Sequence, residues 1–264
     1  MTIWRTLKLE THNAYTNMAI DEAILTARMR NLTPNTIRFY RWNPSAVSIG
    51  KFQNIEKEVQ LDNCKKHGVD VVRRITGGGT VYHDTHGEIT YSVIASKEDL
   101  EAEDIAAVYA KIYAGLAEAL KILGLTTDFN EGNAKACPNL MVNGKKISGS
   151  AQSHKGDIVL QHGTLLLEVD LERMFTFLQI PSTRTIMEIV SVAENKITSI
   201  RKESGKEVSE AEVHQAQIRG FEKSLNIQLA NRELTPYEHN LVERLRREKY
   251  ATENWNFKGI ALTA

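Results

Sequence analysis

Hydrophobic positions change period several times along this 264-residue chain, and each change marks a boundary between strand and helix. Residues 3–9 open as a strand. Beyond them Ile20, Ala23, Ile24 and Ala27 share one helical face, with Thr16 or Asn17 placed to cap the helix and Asp21 and Glu22 in its first turns, where the dipole favours acids. Two β-rich runs, 37–42 and 46–50, flank the turn Asn43-Pro44-Ser45 and read as paired strands. A short helix over 60–67 stops at Gly68 and feeds Val69-Asp70-Val71-Val72, a buried strand. Residues 88–96 form a further strand, with Ile89, Tyr91 and Val93 on one face. The period then lengthens: Ile105, Val108, Ile112, Leu116, Ala119 and Leu123 predict a helix over 101–123, ended by Gly124. Asn143-Gly144 and Lys155-Gly156 reverse the chain twice, predicting a meander of strands over 139–142, 145–152 and 157–167. Period two in its middle strand sets Lys146, Ser148, Ser150 and Gln152 on one face, with Ile147 and Ala151 on the other. Helices follow over 171–178, 209–225 and 235–248, the last with Pro236 at its first position. Residues 192–200 read as a strand or surface loop. Trp255 and Phe257 make the closing segment too aromatic for a loose tail, so it is expected to dock on the body.

Composition narrows the function classes. With 33 Lys plus Arg against 33 Asp plus Glu the formal charge is zero, which argues against a general nucleic-acid or membrane-surface binder. The two cysteines, Cys64 and Cys137, lie far apart without metal-ligand spacing, so neither a disulfide framework nor a zinc site is indicated and no metal ligand is assigned. No apolar run is long enough for a transmembrane helix and Met1-Thr2-Ile3-Trp4-Arg5 has no signal core, so a cytoplasmic protein is expected. No composition break forces a split, and a single domain over 1–264 is expected, with 235–264 as its C-terminal helix and docking tail.

Candidate chemistry centres on Arg73-Arg74-Ile75-Thr76-Gly77-Gly78-Gly79-Thr80-Val81-Tyr82-His83-Asp84. Three glycines at the end of a strand let a ligand approach the peptide N–H groups, and paired guanidiniums offer a fork for carboxylate or phosphate. Neither Gly-x-Gly-x-x-Gly nor a Gly-Lys-Ser/Thr ending is present, so this is not a common nucleotide loop. Further along, Gly149, Ser150 and Ala151 leave room for something to lie against the strand that carries Lys146, whose ammonium could stabilise charge developing during acyl transfer. His83 and His162 serve equally well as core histidines or hydrogen-bond anchors. The residues alone describe an anion- or acyl-binding α/β enzyme.

Three segments in this order and spacing resemble the lipoate-protein ligases and octanoyltransferases of the lipoyl and biotin ligase superfamily. They are Arg73-Arg74-x-x-Gly-Gly-Gly-x-Val81-x-His83-Asp84, Gly144-Lys145-Lys146-Ile147-Ser148-Gly149-Ser150-Ala151-Gln152, and Gln161-His162-Gly163-Thr164-Leu165-Leu166. Phe39–Trp42, Ser48-Ile49-Gly50 with Gln53, and the ending from Lys249 to Phe257 add to the likeness. The resemblance implies a mixed, mainly antiparallel sheet flanked by helices, a glycine loop over the acyl chain, and Lys146 as the essential lysine at the acyl carbonyl or acyl-adenylate. It extends the binding set to Arg73, Arg74, Thr76, Gly77, Gly78, Gly79, Val81, His83, Asn139, Ser148, Gly149, Ser150, Ala151, His162, Gly163 and Thr164. The product it implies is an amide on a lysine of a lipoyl carrier protein, such as the glycine-cleavage H protein or the E2 subunit of a 2-oxoacid dehydrogenase.

Within that resemblance a ligase makes lipoyl-AMP from lipoate, ATP and Mg2+, whereas a transferase takes octanoyl from acyl carrier protein without a cofactor, in one class through a cysteine. Gly77-Gly78-Gly79 stands where cysteine-class transferases read Gly-Gly-Arg, which ranks the ligase first; Asn139 stands where ligases commonly carry aspartate, which counts the other way. Cys137 matches the transferase nucleophile in order along the chain. The chain ends where the family's large domain ends, and the resemblance implies that in a ligase of this length a separate small accessory subunit can supply the missing part for the adenylation step. Biotin-protein ligase and a non-catalytic lipoate- or acyl-binding protein are the alternatives outside these two.

Overall fold

A computed structural model of the chain describes residues 1–130, 138–180 and 184–259. It opens with β1 (Thr2–Thr6) and β2 (Glu10–His12), then α1 (Ala14–Met29), capped by the Asn13 side chain, which accepts from the Thr16 N–H at 2.9 Å. The helix therefore begins a full turn before the expected caps. Asn17 and Asp21 fall in its interior on the buried face, and their polar atoms are used for tertiary bonds, not for the helix end. β3 (Thr36–Trp42) and β4 (Ala46–Ile49) follow, but they enter different sheets and do not pair with each other. The short α2 (Ile55–Glu58) and α3 (Leu61–Lys66) lead to β5 (Asp70–Arg73), β6 (Val81–His83) and β7 (Glu88–Ser96), with the glycine loop joining β5 to β6.

The long helix α4 (Ile105–Ile122) starts at Asp104, whose side chain accepts from the Ala107 N–H, and so is shorter at its N-terminus than the apolar period suggests. Then come β8 (Asp128–Asn130), β9 (Asn139–Val142), β10 (Lys145–Lys155) and β11 (Ile158–Leu166), the last three forming the meander expected from the two turns. The C-terminal third contains α5 (Leu171–Phe177), α6 (Ile186–Ala193), α7 (Ile200–Ser204), α8 (Glu210–Leu225), β12 (Ile227–Asn231), α9 (Pro236–Leu245) and α10 (Glu253–Lys258). A π-type turn over Arg246–Tyr250 joins the last two.

Among the described residues nine strands form one sheet, ordered β12-β1-β3-β7-β11-β10-β9-β8 with β2 on β3, and three form a second, ordered β5-β4-β6. The β3-β7-β11-β10-β9-β8 stretch is antiparallel, and β12, β1 and β2 add parallel pairs at the β3 side. This is the mixed, mainly antiparallel α/β fold expected. One face of the large sheet is covered by α4 and α8, where Val108, Ile112, Leu116 and Phe221 meet Phe39, Tyr91 and Val93. Met18, Ile20 and Ile24 of α1 cover part of the other face with Leu241 and Val242 of α9. The small sheet packs its own core of Val47, Ile49, Ile55, Cys64 and Phe177. Between the two sheets lies a cleft. The aromatic ending docks as expected: Trp255 Nε1 donates to the Arg73 carbonyl at 2.8 Å, and Asn256 Oδ1 accepts from the Arg73 N–H at 2.9 Å. No helix among the described residues is long and apolar enough to cross a membrane.

Candidate active site

The cleft has a volume of about 510 Å3. Its floor is the large sheet. Tyr40, Thr90, Thr164 and Gly149 are neighbours in one row across β3, β7, β11 and β10, and Asn139 of β9 continues it. Its roof is Ser48, the glycine loop and His83 from the small sheet, with Met174, Phe175 and Leu178 along one side. Tyr40 and Trp42 close the end on β3, while Lys146 and Ile197 stand at the other. The lining is mainly apolar with polar groups at a few points, as small-molecule sites usually are.

Lys146 reaches that end through a defect in the ladder. Register against β9 shifts between Lys146 and Ser148, leaving Ile147 as an extra residue. Such a bulge reverses the side-chain alternation. Lys146 therefore does not share the face of Ser148 and Ser150, as period two suggests, but that of Gly149 and Ala151. Ser150 lines the cleft beside them but turns its Oγ to the Tyr113 hydroxyl, to which it donates at 2.8 Å, and Ser148 is buried outside the cleft. Gly149 makes the arrangement possible: a Cβ there would lie 2.5 Å from both Cε and Nζ of Lys146 and 3.4 Å from Asn139 Oδ1. The ammonium thus lies over the strand backbone. The Lys146 backbone is pinned by residues 196–198, its N–H donating to the Lys196 carbonyl at 2.8 Å and its carbonyl accepting from Thr198 at 2.9 Å. Residues 192–200 are accordingly the end of α6 and a bridge to β10.

The arginine pair is not an open anion fork. Arg73 lies off the cleft, where its Nη1 donates to the carbonyls of Gly50, Lys51 and Gln53, and its Nε and Nη2 donate to those of Trp255, Asn256 and Phe257. It ties the C-terminal tail to the loop after β4. Arg74 lies against the roof and directs its five N–H groups inward: Nε to Thr76 Oγ1, Nη1 to the carbonyl and Oγ of Ser48, Nη2 to the carbonyls of Gly77 and Gly79. It shapes the glycine loop from within. Gly78 alone of the three has positive φ, at 87°, and its carbonyl packs against Gly50 so closely that a Cβ on Gly50 would overlap it.

From Arg74 two hydrogen-bonded chains run along the cleft wall. Because Ser48 Oγ accepts from Arg74, its proton is left for His83 Nε2 at 2.7 Å, and His83 Nδ1 then donates to Glu88 at 2.7 Å. Trp42 stacks on that imidazole, with centroids 4.0 Å apart, and its Nε1 donates to Thr90 Oγ1 at 2.7 Å. In the second chain Thr76 Oγ1 accepts from Arg74 and donates to His162 Nε2 at 2.8 Å, and His162 Nδ1 donates to Asp21 at 3.0 Å. Each imidazole thereby has one fixed tautomer.

Asp21 is the hub that pattern reading missed. Its carboxylate, 1% exposed, accepts from Arg38 and Ser92 at 2.9 Å and from Tyr40 at 3.1 Å as well as from His162. Burial pushes its pKa up, but the His162 hydrogen bond and the Arg38 charge outweigh this and hold it below the usual carboxylate value. The available signal was an acid three residues from Ile24 on the apolar stripe, not on the polar face.

Burial lowers the pKa of His162, and likewise of His154 and His214. The unfolded chain therefore binds protons that the fold refuses, so this part of the stability is present above roughly pH 6.5 and lost as pH falls below it. Asp21, also depressed, extends the loss at lower pH. Chemical denaturation at pH 7 and pH 5 is expected to give a smaller unfolding free energy at pH 5, and equal values would contradict the assignment.

Of the residues singled out in the sequence, the cleft brings together Arg74, Gly78, Gly79, Val81, His83, Asn139, Lys146, Gly149, Ser150, Ala151, His162, Gly163 and Thr164. Thr76 stands behind it in the Asp21 chain; Arg73, Gly77 and Ser148 do not line it. Cys137 lies outside the described residues. Cys64 sits in the core of the small sheet, where burial pushes its thiol up to about 11.

An apolar cleft between two sheets, closed by aromatics at one end and carrying a lysine over a glycine strand at the other, is shaped for an elongated apolar ligand with a polar head. The chain belongs to the lipoyl protein ligase A/B catalytic-domain family, whose pattern matches residues 13–222. Octanoyltransferase LipM of Anoxybacillus flavithermus is 36% identical over 275 residues, covering 97% of this chain and 98% of that one. The protein of the same name from Bacillus subtilis (strain 168) is 35% identical over 274 residues, covering 97% and 98%. Among solved structures, the bi-partite lipoate protein ligase of Thermoplasma acidophilum, from an archaeal lipoylation system, aligns over 100% of both chains with a TM-score of 0.87 at 31% identity. A lipoate-protein ligase A bound with ATP aligns over 98% of this chain and 100% of its own, with a TM-score of 0.84 at 32% identity. The protein is thus an enzyme of the lipoate ligase and transferase family.

Proposed function

We propose that this enzyme is an octanoyltransferase that moves an octanoyl group from acyl carrier protein to a lysine of a lipoyl carrier domain through a thioester on Cys137. What carries the reading is full-length kinship with proteins named octanoyltransferase. Three further respects support it. Three strand spacings separate the Tyr40 and Gly149 ends of the cleft row, about 14 Å. Contact distances of roughly 3.5 Å at the aromatic wall and 3 Å at the lysine leave about 8 Å for the ligand. Seven extended carbon–carbon bonds, at the length per bond of an extended peptide chain, span about 8 Å. The row is thus long enough for an eight-carbon chain whose carbonyl meets Lys146.

The second respect is the nucleophile. The chain has two cysteines, and a thiol pushed up to about 11 in a packed core does not serve. Cys137 remains, two residues along the chain from Asn139, which lines the cleft beside Lys146. Its thiolate attacks the donor thioester, the oxyanion forms within reach of the Lys146 ammonium, and the carrier thiol leaves with a proton. The acceptor amine then attacks the enzyme thioester, forms the amide and returns the thiolate. The third respect is Gly79. An added Cβ there meets nothing within 4 Å and φ is not positive, so the glycine that ranked the ligase first occupies a site open to a side chain. That difference decides little.

A ligase reading keeps one specific support, the solved neighbours named lipoate ligases. Offering the enzyme an apo lipoyl domain with octanoyl-acyl carrier protein, with lipoate, ATP and Mg2+, or with lipoyl-AMP separates the two. The transferase reading expects modification from the acyl carrier protein without ATP. Modification only from lipoate with ATP or from lipoyl-AMP would overturn it.

A further inference from the structure

We infer that α6 is the docking surface for the acceptor's lipoyl carrier domain, an inference that rests on the acceptor being a lysine of a folded domain. The helix reads Ile-Met-Glu-Ile-Val-Ser-Val-Ala, six of its eight residues apolar, yet only Ala193 is buried. Ile186, Met187 and Val192 are 47%, 69% and 39% exposed. A helix so apolar ordinarily belongs in a core, and an exposed apolar patch marks an interaction site. α6 is held in place all the same, its N-terminus closed by a reciprocal pair in which Thr185 caps Glu188 and Glu188 caps Thr185.

Its position supplies the occupant. The C-terminal end of α6 runs directly into the segment that pairs with Lys146 and contributes Ile197 to the cleft. The apolar helix therefore ends beside the Lys146 end of the cleft and is about 12 Å long, the length of eight helical residues. A lysine side chain reaches only about 6 Å from its Cα over five bonds. A domain that delivers its amine to Lys146 must press its body against whatever flanks that mouth, and α6 is an exposed apolar element that does.

Met187→Asp tests this without disturbing the site, because an acid in the first turn of a helix suits its dipole and the side chain is exposed. The expected result is a KM for the apo lipoyl domain raised at least tenfold, with acyl-enzyme formation from octanoyl-acyl carrier protein and transfer to the small amine N-acetyl-lysine amide unchanged. Met187→Leu is expected to keep the wild-type KM. An unchanged KM in Met187→Asp overturns the inference. So does an equal loss in acyl-enzyme formation, or a dimer turned to monomer with KM unchanged, which would assign α6 to a second copy of the chain. If wild-type enzyme forms no acyl-enzyme, the transferase reading fails separately, and the same KM comparison run from lipoyl-AMP still tests α6.

Discussion

Lys146→Ala is expected to lower octanoyl transfer to an apo lipoyl domain by about 10²–10³-fold, the usual loss when one oxyanion-stabilising donor is removed. The ammonium lies over Gly149 at the end of the apolar cleft, where the proposed reaction sets the acyl carbonyl. The fold is expected to survive, since the backbone bonds of residue 146 to Lys196 and Thr198 do not depend on its side chain. The melting temperature should stay within a few degrees of wild type. Transfer within a few-fold of wild type, followed by the mass of the carrier domain, would remove Lys146 from the chemistry.

Asp21→Ala is the largest effect expected on stability. Four donors converge on the Asp21 carboxylate, and the substitution leaves the buried Arg38 guanidinium and His162 Nδ1 without it. Breaking a buried ion pair from one side costs about 3–5 kcal/mol. For a chain of this size that lowers the melting temperature by roughly 10 °C. Activity should fall as well, because His162 holds Thr76 at the start of the glycine loop. A shift of a degree or two in calorimetry would show that the network contributes little.

Much of the scaffold was legible because period and turn chemistry are local properties. Asn143-Gly144 and Lys155-Gly156 placed the meander, and the 3.6 period placed α4 and α8. What escaped is set by partners distant in sequence. The bulge at Lys146 arises from pairing with β9 and with residues 196–198, so no alternation rule could assign that lysine to the Gly149 face. The two arginines were read by their charge, but nothing in Arg73-Arg74 shows that the carbonyls of the tail and of the glycine loop take up their donors. Asp21 was read as a helix-dipole acid because the cap was placed a turn too late; its role depends on Arg38, Ser92 and His162 meeting on one sheet face. α6 went unread since eight residues are too few for a helical period to stand out along the chain.

The central claim is tested most directly by the intact mass of the enzyme itself after mixing with octanoyl-acyl carrier protein and no lipoyl domain. The account predicts one octanoyl adduct on wild-type enzyme, discharged when an apo lipoyl domain is added, and none on Cys137→Ser. An adduct that persists in Cys137→Ser, or none on wild type together with carrier modification only from lipoate and ATP, would contradict it.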